Sequence, residues 1–190
     1  MTPAQIPVDE AERLANLRSY EILDTRAAAE FDDLTDLTAA ILDTPIALVS
    51  FVDADRQWFK SHHGLAARET SREVAFCAHA ILQKPTFVVE DASLDARFSD
   101  NPLVAGTLGI RFYAGQRLVT PEGHAVGTLC AIDRVPRTLK PAQYIALGQI
   151  SRQVVALLEL HRFRRQAARA AELAERPQAP DAVAGPRPAA

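Results

Sequence analysis

The sequence predicts an α+β domain: a central antiparallel sheet of five to six strands, with N- and C-terminal helices on one face and a ligand pocket on the other. Three observations lead there. Two helical patterns precede the first strand-like run and a long one follows the last, which places helices at both ends. Apolar runs of strand length, joined by short turns, fill the middle of the chain. Along the last of these runs Val126, Thr128, Cys130 and Ile132 point one way and Gly127, Leu129 and Ala131 the other; neither set is fully polar, so the sheet is covered on both sides. With 190 residues, 48% of them hydrophobic, the chain suffices for one substantial core and leaves little room for a second.

The elements follow in order. Residues 1–10 read as a flexible leader. From Asp9, a candidate N-cap, to Tyr20 the apolar positions Ala11, Leu14, Leu17 and Tyr20 recur at helical spacing. A second helix carries the stripe Phe31, Leu34, Leu37, Thr38, Ile41 and Leu42, with Asp32, Asp33 and Asp36 largely off it, and Pro45 stops it. Pro45 to Asp53 is a near-continuous apolar strand; Asp53-Ala54-Asp55 turns the chain into a second strand, Arg56 to His63, that ends at Gly64. Val74 to Leu82, rich in Ala and apolar residues, predicts a short buried helix, with Ser71 and Glu73 near its start. Thr86 to Val89 is the third strand. Asp91 to Gly106 is too long for a tight turn, and such loops inside compact domains are usually functional. Ile110 to Val119 and Ala125 to Asp133 are two more strands around the turn Thr120-Pro121-Glu122-Gly123. A long helix starts near Pro141 with the seam Leu147, Ile150, Val154 and Leu157, then passes into a basic extension over residues 163–176. Residues 177–190, dominated by Pro and Ala, predict a disordered tail. The domain proper spans residues 11–162.

Composition narrows the function classes. A net charge of -3 and a pI near 6.0 give no global basic field for nucleic acid. Arg162, Arg164, Arg165 and Arg169 read as a solvated helix end, where cations also favour the helix dipole. No stretch approaches the roughly 20 apolar residues of a membrane span, and the acidic N-terminus lacks a signal core. Two cysteines make no disulfide framework and suit a reducing compartment, so a cytoplasmic protein is expected.

The stretches Pro45 to Asp53 with Arg56 to Ser61, Phe76 to Leu82 (FCAHAIL), Asp91 to Val104 (DASLDARFSDNPLV), Gly109 to Gly115 (GIRFYAG) and Gly127 to Asp133 (GTLCAID) resemble a bacterial GAF subfamily. That subfamily sits in front of histidine kinases and diguanylate cyclases, and Arg13 to Thr25 is similar to the helix that often precedes it. The resemblance covers Ala11 to Leu160. It implies a non-catalytic sensory module that binds a small ligand, or relays a signal through terminal helices that pair in a homodimer. With no kinase or cyclase domain following, the output is expected through a partner in trans or through dimerisation. The resemblance names no cofactor.

The same resemblance implies a pocket between the sheet and the FCAHAI and DARFSDNPLV segments, with ligand-binding candidates Phe76, Cys77, His79, Asp91, Arg97, Phe98, Asn101, Arg111, Tyr113 and Cys130. Arg111 and Tyr113 share a strand face, and a guanidinium beside a phenol and an amide suits an anionic or heterocyclic ligand. The alternative is a salt bridge from Arg97 or Arg111 to Asp91 that staples the loop to the sheet. Cys77 near a helix N-terminus predicts a lowered thiol pKa, while Cys130, mid-strand, predicts packing. Two cysteines also leave open a redox enzyme like the GAF-fold reductases of free methionine sulfoxide, and a ligand-free scaffold is a third reading. No CxxC or HxxxH spacing predicts a metal site, and adjacent His62 and His63 point to opposite strand faces. Asp53 and Asp55 read as turn residues and Trp58 and Phe59 as packing.

Overall fold

The computed structural model describes residues 1–84 and 86–174; the expected disordered tail lies outside them. Helix α1 (Glu10–Ser19) buries Leu17 with Tyr20 just beyond it, but its third inward position is Arg13 and not the exposed Ala11. A guanidinium tolerates such burial only when its donors are matched. Arg13 gives Nη1 to the Val52 carbonyl (2.7 Å) and both Nε and Nη2 to Glu10 (2.8 Å each). Glu10 also accepts from Arg72 (2.5 Å), which reaches the Asp53 carbonyl at 2.9 Å. The expected N-cap Asp9 makes no side-chain cap bond; its carboxylate meets His124 at 2.9 Å.

Helix α2 (Ala29–Leu42) is rotated from its predicted stripe. Phe31, Thr35, Thr38, Ala39 and Leu42 are buried, while Leu37 and Ile41 are 45% and 40% exposed. Small residues inward let α2 lie close to the sheet, and Thr35 keeps a partner there by reaching the Ser61 hydroxyl at 2.7 Å.

The strands are β1 (Ile46–Val52), β2 (Arg56–His63), β3 (Glu69–Ser71), β4 (Thr86–Val89), β5 (Phe112–Val119) and β6 (Ala125–Asp133). They form one antiparallel sheet in the order β3-β2-β1-β6-β5-β4. The edge strand β3 is too short and polar to show an alternation that pattern reading could detect. β5 begins two residues later than expected. β1 and β6 are central and buried, and they approach so closely that a Cβ on Gly127 would lie 2.0 Å from the Ser50 carbonyl oxygen.

Two further helices lie between strands. A 3-10 turn (Arg72–Val74) leads through extended Ala75 into α3 (Phe76–Ala80), so the single helix expected over Val74 to Leu82 is two short pieces. α4 (Pro102–Ala105) interrupts the long loop, with Asn101 capping it. Helix α5 (Pro141–Ala174) follows β6.

Helices α1, α2 and α5 pack on one face of the sheet, around Phe31, Phe51, Leu129, Leu147 and Val154. α3 and α4 cover the other, around Leu48, Phe76, Phe98, Tyr113 and Cys130. Val126 departs from the expected alternation: a bulge in the β5–β6 pairing at Leu118/Val119 turns it to the three-helix face. The last buried residue of α5 is Leu158, with Leu157 half-buried. The arginines beyond it are not simply solvated. Arg162 pairs with Glu122 and Glu159, Arg164 approaches Glu30, and both Arg165 and Arg169 pair with Glu21. Tyr20, fully buried, reaches Glu159 beneath the Arg162 guanidinium, so the end of α1 is locked to α5. Among the described residues no helix is long and apolar enough to cross a membrane.

Burial alone would raise the Glu10 carboxyl, but the bonds and charges of Arg13 and Arg72 outweigh it and bring the pKa from 4.5 down to about 2. A carboxyl depressed in the folded state stabilises fully above its unfolded pKa, and that contribution is lost as pH falls from 4.5 towards about 2. Glu10→Gln leaves two buried guanidinium groups short of an anion. The variant is expected to lose about 3 kcal/mol at neutral pH and the acid-limb dependence with it, both read from urea titrations at a series of pH values.

Candidate functional site

The site candidates lie where α3 and α4 press on the sheet. Tyr113 of β5 and Cys130 of β6 face them from the sheet, and α3 drops Phe76 and Cys77 from above. Phe76 stacks on Phe98 (ring centroids 4.1 Å apart) and on Tyr113 (5.2 Å), while Phe87 of β4 closes the group at 5.8 Å from Tyr113. These rings occupy the space between sheet and covering helices, the place expected for a pocket. His79 stands edge-on to Phe98 at 4.8 Å, and the Arg97 guanidinium lies over the Phe87 and Phe98 rings at 4.9 and 5.2 Å. Burial, and then the Arg97 charge, lower the His79 pKa, so His79 is neutral at physiological pH.

The expected salt bridge to Asp91 does not form. Arg97 pairs with Asp95 (2.5 Å), its neighbour in the same turn, while Asp91 accepts from the Ser93 amide and hydroxyl at 3.0 and 2.6 Å. The loop is stapled instead through backbone: Arg111 gives Nη1 to the carbonyls of Val104 (3.1 Å) and Ile110 (3.0 Å). Asn101, 1% exposed, accepts from the Leu103 amide at 2.8 Å and donates to the Val74 carbonyl at 3.0 Å, which fixes α4 to the entry of α3. The structure therefore brings together Phe76, Cys77, His79, Arg97, Phe98, Tyr113 and Cys130, with Asn101 as their bracket. Arg111 and Asp91 hold the rim.

Beneath the rings the chemistry is that of sulfur. Cys77 Sγ lies 3.9 Å from Cys130 Sγ and accepts from the Tyr113 hydroxyl at 3.2 Å. Tyr113 reaches it by lying along its own strand over Gly115, where a Cβ would fall 2.3 Å from the phenolic oxygen. Two hydroxyls not singled out from the sequence complete the surroundings: Ser50 and Thr128, register partners on β1 and β6, both buried with no hydrogen-bond partner. Their sequence signal is a hydroxyl in an otherwise apolar strand run, Thr128 two residues before Cys130. Burial pushes the Cys77 thiol up, but Cys130, Thr128, Tyr113 and Ser50 together hold it down at about 7; Cys130 is pushed up by its bond to Cys77 and by burial.

Open grooves lie outside this cluster. One of about 440 Å³ is lined by Asp36, Asp43, Thr44, His63 and Arg137 at the start of β1. Another of about 330 Å³ runs between Pro3, Ala4 and Ile6 of the leader and Arg72, Glu73 and Ala78. The leader lies against the α3–α4 side, with the Thr2 amide bonded to the Arg97 carbonyl at 3.2 Å. Among the described residues no group of three or more His, Cys, Asp or Glu could hold a metal ion.

The family model described as "GAF domain" matches residues 21–160. The chain belongs to the GAF domain family. This GAF domain is 43% identical over 159 residues to a cyclic di-GMP phosphodiesterase of Pseudomonas aeruginosa, a match covering 84% of this chain and 25% of that protein. The chain thus spans about a quarter of that relative's length. Among solved structures it resembles the PixJ GAF domain of Thermosynechococcus elongatus in its blue-light absorbing form (TM-score 0.59, 13% identity, 90% of this chain and 100% of that one). It also resembles free methionine-R-sulfoxide reductase of Neisseria meningitidis (TM-score 0.58, 16% identity, 88% and 99%). At such identities the likeness is one of fold. As a GAF domain the chain is a sensory and regulatory module.

Tyr113→Phe removes one donor to the Cys77 sulfur. The thiol pKa is expected to rise from about 7 by roughly one unit, the worth of a hydrogen bond to a charged group. Gly115→Ala, which displaces the same ring, should act in the same direction. The ultraviolet absorbance of the thiolate against pH, in protein whose other cysteine is Ser, measures both.

Proposed function

We propose that this GAF domain is a non-catalytic signalling module whose output leaves through α5, with a homodimer as the working form. The observation that carries this reading is the helix itself. Its buried face ends at Leu158, yet it continues to Ala174 with Leu160 and Phe163 40% and 67% exposed. Leu160, Phe163, Ala167, Ala170 and Ala174 are spaced three and four residues apart, the period of a two-helix seam. Small residues along its lower half suit close approach of a second copy.

The input is a small molecule that engages the α3–α4 side through Arg97, Arg111 and Tyr113. Phe76 and Phe98 fill the interior, so a ligand enters by displacing rings or the loop that carries Arg97. The relative with a cyclic di-GMP phosphodiesterase's name supports an output in cyclic di-GMP signalling, through a cyclase, a phosphodiesterase or a histidine kinase joined to the module or bound in trans. The module works inside the cell.

Native mass spectrometry of the full chain tests both parts. A dimer mass is expected for the wild type and a monomer for Phe163→Glu, with a weakening of at least about 100-fold from a charge buried in the seam. A wild type that stays monomeric at high concentration excludes the dimer. A retained small molecule that disappears in the Arg111→Ala, Tyr113→Phe double variant supports the assigned site; one retained equally by both places it elsewhere.

A further inference from the structure

We propose that Cys77 and Cys130 form a reversible dithiol–disulfide pair oxidised by a small hydroperoxide, with Cys77 as the attacking sulfur. The two residues are 53 positions apart in sequence, on α3 and β6, and their sulfurs lie 3.9 Å apart. This goes beyond the signalling reading: the chemistry stands whether or not the module binds a ligand or pairs through α5.

Packing explains a buried thiol but not the company this one keeps. The Ser50 and Thr128 hydroxyls are buried with no partner of their own, an arrangement that costs free energy in a finished core. The Tyr113 hydroxyl donates to Cys77 at 3.2 Å, Cys130 Sγ lies 3.9 Å from it, and the two unpartnered hydroxyls sit on the strands beneath, Thr128 two residues before Cys130 and Ser50 its register partner. Gly115 is the residue that lets the Tyr113 ring lie flat enough to get there. A phenol donor, a second thiol and two unpartnered hydroxyls beside one sulfur, with no base among them, form a setting that suits an anionic sulfur. The same donors hold the Cys77 thiol at about 7 against its burial.

The steps balance. The Cys77 thiolate attacks one oxygen of the hydroperoxide, the O–O bond breaks, and the departing hydroxide or alkoxide takes up a proton as water or alcohol. Cys77 is then a sulfenic acid. The Cys130 sulfur attacks Cys77 Sγ, its thiol proton leaves with the hydroxyl as water, and the S–S bond forms. Two thiols give two electrons; the peroxide accepts them. Closing the bond brings the sulfurs from 3.9 Å to about 2 Å. The movable partner is α3, five residues long and entered through the extended Ala75, since β6 is central in the sheet. A reducing compartment returns the pair to thiols, so the bond is transient.

The full wild-type chain is exposed to hydrogen peroxide, quenched in acid, unfolded and alkylated. The expected product has lost two hydrogens, takes no alkyl group, yields a peptide pair joining Cys77 to Cys130, and is restored by dithiothreitol. In Cys130→Ser the reaction stops with one added oxygen on Cys77. In Tyr113→Phe the rate at neutral pH falls roughly five- to tenfold and its rise with pH shifts upward, the sign expected from losing a donor. Both thiols alkylating fully after peroxide, in a chain that circular dichroism shows to be folded, overturns the proposal. So does a disulfide found only between chains, or an oxygen added to Cys130 instead of Cys77.

Discussion

Arg13, Glu10 and Arg72 form a chain of buried charge that runs around the end of the sheet, and both covering layers hang from it. Arg13 belongs to α1 on the three-helix face, whereas Arg72 opens the segment that enters α3 on the other. Between them the two guanidinium groups take up carbonyls of Val52, Asp53 and Ala54, so the β1–β2 turn is held by side chains as well as by its own backbone. Paired burial of this kind adds little net stability over an apolar equivalent, yet losing one member is severe because the others are left desolvated. The arrangement therefore fixes geometry. α1 cannot tilt on the sheet without disturbing the backbone that leads to Cys77.

A second chain of contacts runs from α1 to α5. Tyr20 is buried against Glu159, Arg162 covers its ring at 4.5 Å, and Glu21, in a left-handed conformation (φ 48), receives Arg165 and Arg169. The surface pairs among these are individually weak; the anchoring comes from the fully buried phenol and the packed face down to Leu158. Together the two chains connect α3 to α5 through α1, without passing through the aromatic cluster.

Much of this architecture was legible in the sequence. β2, β4 and β6 have the predicted ends because apolar runs bounded by turn residues are the strongest strand signal. α2 was found but misoriented: pattern reading gives weight to Leu37 and Ile41, whereas close contact with the sheet favours Thr35 and Ala39 inward. Arg13 was invisible for a similar reason, since nothing local distinguishes a buried arginine from a solvated one; its partners Val52 and Arg72 are distant in sequence. At the site, the aromatic and cysteine candidates do converge. The proposed bridge from Arg97 or Arg111 to Asp91 does not, because shorter-range carboxylates and backbone carbonyls compete more effectively for both guanidiniums. Ser50 and Thr128 escaped notice because a hydroxyl gains meaning only from its neighbours across the sheet.

Helix α5 has no proline or glycine after Gly148 as far as Ala174, and so behaves as one rigid rod. At about 1.5 Å per residue, its 34 residues extend about 50 Å. Each residue along the rod also turns it by about 100°. The azimuth at which this helix presents whatever it is joined to is therefore set by residue count as much as by sequence. Adding or removing about seven residues nearly restores the phase, while a change of two swings the far end to the opposite side of the rod. Insertions or deletions beyond Leu158 of about seven, eleven or eighteen residues leave that azimuth nearly unchanged, whereas other lengths rotate the far end of the helix about its own axis.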